Sequence, residues 1–471
     1  MPPSLSPWFR VRNPDPASGA SLHAVLGAAD LVFLGVGAAI GAGVFVLTGV
    51  VAATEAGPGL TLSFLVAGLA CTFAALSYAE LAASIGGCGS AYGYAYATLG
   101  ELIAWIIGWA LMLEYGLAVS AVAIGWSGYF ANVLSAVGME LPPALLASPG
   151  EGGLVNLPAS LIILVLGAML AVGIRSSTRL NNLMVLIKLA AIAAFTAIAW
   201  PQVDPANWQP FLPFGFGGVM QGAALIFFAY IGFDAVSTAA EEARNPQRDL
   251  PIAIIGSLAI CTLVYVVVAG TLTGIAHYST LNVASPVSDA LLNLGSRVGA
   301  GLVAAGAIAG LTSVMLVSYY GQTRVFLAMS RDGLLPPAFA RVSPRTGTPV
   351  PVIVITGIMT AAIAGFTPIS AVAEMVNIGT LSAFAVVCIG VIVLRRTRPD
   401  LHRPFRTPAA PLIPLLGAAM CGWLMLNLPA VTWWRFLLWM GLGLLIYFTY
   451  SARHSVRAGR PPPARPAGAP S

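Results

Sequence analysis

Gly35-Val36-Gly37-Ala38-Ala39-Ile40-Gly41-Ala42-Gly43-Val44-Phe45-Val46-Leu47-Thr48-Gly49 is the stretch that decides the reading of this chain. It lies inside an apolar run from about Leu31 to Ala53, and about 20 apolar residues suffice for a spanning helix. Glycine is a poor helix former, so Gly41-Ala42-Gly43 allows the helix to break in mid-membrane. Backbone groups freed by such a break must find partners or line a cavity, because hydrocarbon offers none. A broken helix therefore points to a binding site, with the half that begins near Val44 turning its positive end towards an anionic group. Small residues also let two helices pack closely, and from this stretch alone both readings stand.

Composition supports the membrane setting. Of 471 residues, 58% are hydrophobic and only 8% charged, against about 25% charged in a soluble domain; mean hydropathy is +0.88. Met1 to Ala29 has no apolar core with a cleavage site, so no signal peptide is expected. The five cysteines lie in or beside apolar runs without metal-ligand spacing, and the four histidines fall in loops or tails. Neither a metal, a cofactor nor a nucleic-acid partner is expected.

Twelve apolar spans can be drawn, at about 30–53, 60–83, 99–132, 157–174, 182–200, 217–240, 251–276, 299–329, 350–366, 371–394, 410–429 and 432–451. Between spans 2 and 3, the glycine-rich segment 85–93 reads as re-entrant or interfacial. With an N-terminus in the cytoplasm, nineteen arginines fall on the inner side and two, Arg297 and Arg435, on the outer side. That asymmetry sets both termini in the cytoplasm. Spans 1–5 and 6–10 are odd-numbered sets, so a second copy would sit inverted. Span 6 is interrupted at Phe228-Ala229-Tyr230-Ile231-Gly232-Phe233-Asp234, as span 1 is at Gly41. Paired interruptions in two inverted halves point to a transporter site and favour the binding reading of the first stretch. The expected organisation is a tail at 1–29, repeats at 30–200 and 201–395, spans 11 and 12 within 396–452, and a disordered tail at 453–471.

Lys188 is the only lysine and lies about seven residues into span 5. A charge near the bilayer centre costs about 2.5–3.5 kcal/mol on insertion scales, and lysine, unlike arginine, can shed its proton. A proton-linked role is the sharper reading; snorkelling to the nearer surface is the alternative. Glu114 within span 3 and Asp234 beside the span 6 break are intramembrane acids, able to face a cationic side chain or to stabilise a helix end. Glu80 and Glu374 lie near span ends and read as structural or gating groups. Thr312, Ser313 and Ser318 offer hydroxyls in span 8, though such hydroxyls commonly bond their own helix. The loop Glu241 to Leu250 reads as a charged cap, with Glu241, Glu242 and Arg244 in its ion-pair network.

Residues 37–49 resemble the first-span motif of the amino acid–polyamine–organocation permeases. Phe227 to Asp234 with Glu241-Glu242-Ala243-Arg244-Asn245-Pro246, Ser77 to Leu81, and Arg324 to Leu334 are similar to the cationic amino acid transporter branch. The resemblance covers roughly residues 25 to 450. It implies an all-α polytopic protein with a leucine-transporter-like fold of two inverted five-helix repeats and two further helices. It also implies that the substrate α-carboxylate meets the amides of Ala42, Gly43 and Val44, and the α-amino group the carbonyls of Ile40, Phe228, Ala229 and Ile231. Lys188 would take the place of a sodium ion, bridging carbonyls near Gly37 to Ile40 and the hydroxyls of Thr312 or Ser313. Ser318 would line the side-chain end, with Glu114 and Asp234 as counter-charges, which favours cationic over small neutral amino acids slightly. The eukaryotic transporters carry two further spans, so this chain looks bacterial and bound for the inner membrane.

The expected function is proton-coupled import of an L-amino acid by alternating access. An exchanger is the alternative, and a non-transporting amino acid sensor is the alternative from another class. An enzyme is not expected, because no intramembrane histidine, zinc motif or nucleophile–base pair occurs. A small single-span partner subunit remains open.

Overall fold

The computed structural model describes residues 26–85, 90–136, 138–172, 178–238, 243–343, 346 and 348–455. Span 1 opens as a helix over Ala28–Ala39. Asp30 in its first turn accepts from the Gly27 amide at 3.1 Å, which satisfies one donor of a bare helix start. The helix stops at Ile40, whose backbone is extended. The chain then resumes as a wide turn of π-helix over Gly43–Leu47. The Thr48 hydroxyl donates to the carbonyls of Gly43 and Val44 at 3.0 and 2.8 Å, supporting acceptors in this loosened register. Thr48–Val51 and a second π turn at Ala52–Ala56 complete the span.

Span 6 has the same plan. A helix over Gly215–Ile226 tightens to a 3-10 turn at Phe227–Tyr230. Ile231 is extended, and the helix restarts at Ala235–Thr238. Gly232 between them has φ of 120°, a conformation open to glycine. A Cβ there would also lie 2.7 Å from the carbonyl carbon of Ala38. Gly232 thus lets the second break rest on the end of the first helix.

The other passages are Leu60–Ile85, Glu101–Ala136, Leu157–Val172, Thr178–Ala199, Pro246–Ile275, Arg297–Arg331, Val350–Phe366, Ile369–Thr397, Leu412–Leu426 and Ala430–Ile446. Among the described residues the architecture is all-helical, with seven helices long and apolar enough to cross a membrane and five shorter apolar ones. Leu164, Val165, Leu263, Val298 and Leu438 are exposed, as a lipid-facing surface requires. Spans 5 and 8 touch through small residues, Gly306 against Ala191. Span 12 is tied to span 3 by Trp105 donating to the Gly443 carbonyl at 2.9 Å and by Trp109 and Trp439 donating to each other's carbonyls.

At one face, which carries Leu26 and Ser455, the segment before span 1 pairs with that before span 7, Arg244 N–H donating to the Leu26 carbonyl at 2.9 Å. At the opposite face a helix over Pro286–Asn293 packs on span 8 and is tied to span 3. There the Asn132 amide donates to the Asp289 carboxylate at 2.7 Å. Burial raises the Asp289 carboxyl above the usual range, offset in part by Asn132 and Ser285.

The glycines at 86–89, Arg175, Glu241 and Glu242 lie outside the described residues. Ser90–Thr98 beyond those glycines is a short helix, tied to the end of span 8 by the Tyr92 hydroxyl donating to Asp332 at 2.6 Å. Four of the five cysteines are described, and all four are buried free thiols.

Glu80 is fully buried and holds Arg395 through two bonds of 2.9 and 2.7 Å, together with the Thr407 amide at 2.8 Å. Breaking a buried ion pair from one side costs about 3–5 kcal/mol, and the partial exposure of Arg395 moves this pair to the lower end. Glu80→Gln is expected to lower the thermal midpoint of the detergent-solubilised protein, measured by intrinsic fluorescence, with Glu374→Gln as the milder comparison.

Candidate functional site

The two breaks meet at the centre of the molecule. A Cβ on Gly43 would fall 2.4 Å from both Cα and Cβ of Ala229, so span 1 and span 6 touch backbone to backbone. The first regular inter-turn bond after the span 1 break is Phe45 N–H to the Gly41 carbonyl at 3.2 Å. Ala42, Gly43 and Val44 are therefore first-turn residues, whose N–H groups a helix cannot satisfy internally. All three are buried. Tyr129 of span 3 fixes this turn by donating to the Phe45 carbonyl at 2.7 Å. Val314 of span 8 closes the other side, 3.3 Å from where a Gly41 Cβ would stand. Ser318 follows Val314 by one helical turn and is partly exposed.

The acceptors at the breaks are engaged. The Ile40 carbonyl accepts from Lys188 at 2.9 Å, that of Phe228 from the Ile231 amide at 3.2 Å, and that of Ala229 from the Tyr265 hydroxyl at 2.6 Å. A carbonyl has two lone pairs, so a ligand amine would share or displace these donors.

Lys188 is 0% exposed. Its Nζ donates to the carbonyls of Gly37 and Ile40, both in the last turn before the break. Its stem packs on Gly310 of span 8 at 3.1 Å from that residue's would-be Cβ. The snorkelling alternative does not hold, since the amine turns inward to span 1. The expected bridge to span 8 hydroxyls is absent from these bonds. Thr312 donates to Ile308 at 2.7 Å and Ser313 to Gly310 at 2.8 Å, each within its own helix, while Trp126 donates to the Thr312 oxygen at 3.1 Å. Hydroxyls in an apolar helix reach their own carbonyls first.

The two acids are placed differently from the breaks. Asp234 is 2% exposed and accepts from the Gly232 amide at 3.2 Å, bracing the break in its own span. Span 3 passes the span 1 break at Gly125, whose would-be Cβ lies 3.5 Å from Ala42 and 2.8 Å from Val46. Glu114 comes eleven residues earlier in the same helix, about 16 Å away along its axis. It is 2% exposed, and its Oε2 lacks a hydrogen-bond partner. The structure thus brings Ile40, Ala42, Gly43, Val44, Phe228, Ala229 and Lys188 together, with Glu114 about three turns along span 3 from the crossing at Gly125.

Asn377 was not among the residues expected from sequence. Its amide donates to the carbonyls of Ala224 and Leu225 at 2.8 and 2.7 Å, the last turn before the span 6 break. Its signal was present: a lone amide in the apolar run of span 10. Tyr265 and Tyr129 carried no such signal, because tyrosine is common in membrane helices. Asn377→Ala leaves two buried carbonyls without donors, at about 1–3 kcal/mol each. The variant is expected to unfold at lower temperature and to transport several-fold more slowly, read by melting and uptake on one preparation.

The family model described as amino acid permease matches residues 26–449. The chain belongs to the amino acid permease family. It is a multi-pass membrane transport protein, and its breaks in spans 1 and 6 are read on that basis. The branched-chain amino acid permease BcaP of Bacillus subtilis (strain 168) is 53% identical over 440 residues, 92% of this chain and 94% of that protein. The methylthioribose transporter of the same organism is 50% identical over 438 residues, 93% of this chain and 95% of that protein. The vacuolar cationic amino acid transporter 4 of Arabidopsis thaliana is 40% identical over 384 residues, 80% of this permease and 64% of the plant protein.

Proposed function

We propose that this permease imports an L-amino acid with an apolar side chain together with a proton, using Lys188 as the proton carrier and the inner membrane face as the face of both termini. The burial of Lys188 and its two bonds to the carbonyls of Gly37 and Ile40 carry the coupling reading. A charged amine anchors the first half of span 1 to span 5; its neutral form binds those carbonyls more weakly and lets that half swing. The amides of Ala42, Gly43 and Val44 would receive the carboxylate, and the carbonyls of Ile40, Phe228, Ala229 and Ile231 the amine. Thr312 and Ser313 would support Lys188 through the span 8 backbone, and Ser318 would lie along the side-chain end.

The sequence leans slightly to cationic substrates. Glu114 lies about 16 Å along span 3 from its crossing of the span 1 break, and this displacement moves our reading to apolar side chains. The 53% identity to a branched-chain permease agrees with this. Asp234, close to the break, is what favours a cationic side chain as the second reading.

Uptake of labelled L-leucine and L-arginine into proteoliposomes, with and without an inward proton gradient, tests these statements. Accumulation of leucine driven by the gradient supports the proposal. Accumulation of arginine instead overturns the side-chain assignment, and gradient-independent uptake that needs internal amino acid makes the protein an exchanger. Inhibition by methylthioribose, which lacks both carboxylate and amine, with neither label taken up, would overturn the amino acid reading.

A further inference from the structure

Span 10 meets the interrupted part of span 6 with one aromatic ring. Phe384 packs against Phe227, which opens the 3-10 turn before Gly232, at 5.8 Å between centroids, and against Phe233 just after that glycine, at 5.1 Å. Tyr78 of span 2 lies edge-on to the same pair, 5.2 Å from Phe384 and 6.0 Å from Phe233. Beyond it stands Tyr94, 6.1 Å from Tyr78 and again edge to face. Tyr94 belongs to the short helix over Ser90–Thr98. That helix lies at the face that carries Ser455, where the hydroxyls of Tyr96 and Ser455 both donate to the Glu101 carboxylate, at 3.0 and 2.7 Å. The rings thus form a plug that runs from the span 6 break towards that face. All five are buried, so this exit from the break is shut.

One ring of the plug is out of keeping with its place. Tyr78 is 0% exposed, and its hydroxyl has no hydrogen-bond partner among the described residues. Other buried tyrosines around the breaks are satisfied: Tyr129, Tyr230 and Tyr265 each donate to a backbone carbonyl, at 2.7, 2.8 and 2.6 Å. A buried polar group left without a partner loses its water and gains nothing in return. In a native structure such a group marks stored strain or a functional role. Phenylalanine, the residue at 233 and 384, would fill the same space without that penalty.

We propose that Tyr78 is a positioning residue of the transport cycle: its unpaired hydroxyl disfavours the closed aromatic plug and so sets how readily this exit opens. When spans 2, 6 and 10 part at this level, water reaches the phenol and the missing bond is made. The open exit therefore gains what the closed one lacks, and the equilibrium tilts towards opening. The same tilt lowers the population of the closed shape, in which ligand is shut in, and apparent affinity falls by that fraction. Neither the coupling ion nor the side chain of the substrate enters, so Tyr78 acts in this way whatever the role of Lys188.

Tyr78→Phe is the test, because it removes one oxygen and keeps all three edge-to-face contacts. The label is L-leucine, or whichever of L-arginine and methylthioribose the wild type accumulates instead. Binding is measured at equilibrium on purified protein, turnover as the maximal rate of uptake into proteoliposomes, and melting by intrinsic fluorescence. Tyr78→Phe is expected to melt at a higher temperature than the wild type, to bind more tightly and to turn over more slowly, each of the last two by about fivefold, the lower end for an unpaired buried group. Tyr265→Phe is the contrast: the same substitution strips the Ala229 carbonyl of its donor and should melt lower. A packing defect at Tyr78 would lower melting temperature, affinity and rate together, so the opposed signs are what a merely structural role does not produce. A Tyr78→Phe protein that melts no higher than the wild type overturns the inference, since the hydroxyl is then already satisfied in the closed plug. One that melts higher but binds no tighter, or turns over as fast as the wild type, overturns it too, since the plug is then not what the cycle waits for. Either result leaves the proton-carrying reading of Lys188 intact.

Discussion

Lys188→Ala is expected to reduce gradient-driven uptake to background, a loss of about two orders of magnitude or more, while leaving some slow, gradient-independent exchange. The alanine cannot reach the Gly37 and Ile40 carbonyls that Nζ now holds. Two buried acceptors are then left bare beside the break, at about 1–3 kcal/mol each, and the stem leaves a void against Gly310. Lost coupling and lost structure must be told apart, and Lys188→Met does this. Methionine refills the space with a flexible apolar chain but carries no proton. If Lys188→Met folds with a melting temperature near that of the wild type yet takes up label at the same rate with and without the gradient, the lysine is the coupling group. Gradient stimulation that survives in Lys188→Met would remove it from that role. Lys188→Arg should also fail, since arginine keeps its charge throughout the cycle.

Gly43→Ala is the second large effect. One methyl group at this position would lie 2.4 Å from both Cα and Cβ of Ala229. Neither atom can rotate away, so the two breaks must part. Overpacking of this kind costs about 1–3 kcal/mol in ordinary cores. Here it also shifts the first-turn amides of Ala42 and Val44. We expect uptake to fall more than about tenfold, with the folded protein still recoverable at a lower melting temperature. Gly301→Ala is the contrast. No atom lies within 4 Å of its would-be Cβ, and glycine to alanine in a helix interior stabilises by about 0.5–1 kcal/mol. Gly301→Ala should therefore transport normally. Equal loss in both variants would mean that helix propensity, not the contact of the breaks, is what transport feels.

Much of the fold is legible without coordinates. Hydropathy draws the spans because about 20 apolar residues in a row have few other uses, and span 9 falls at 350–366 as read. The breaks are legible because glycine clusters weaken a helix at a definable place. Element ends are less so: span 5 begins at Thr178 and span 3 runs to Ala136, beyond the apolar runs, since polar residues can extend a helix out of the hydrocarbon. In the site, Lys188 stands out as the sole lysine in an apolar run. For Glu114 the sequence is less informative, because an acid in a span signals function without signalling depth. Its distance from Ala42 emerges only when span 3 is seen to meet the break at Gly125.

Sequence by itself determined that this chain is a polytopic helical membrane protein, that its first and sixth spans are interrupted, and that one titratable cation lies within. Those properties are local, written in runs of hydropathy, glycine and charge. Tertiary structure alone decided who meets whom. Lys188 finds Gly37 and Ile40 about 150 residues away; Asn377 finds Ala224 and Leu225; Tyr265 finds Ala229; and Gly43 lies on Ala229 itself. The physical reason is that a membrane helix satisfies its own backbone wherever it is regular, and so carries little instruction about its neighbours. Partner choice is made at the few irregular points, where freed carbonyls and amides must be met by side chains from elsewhere in the chain.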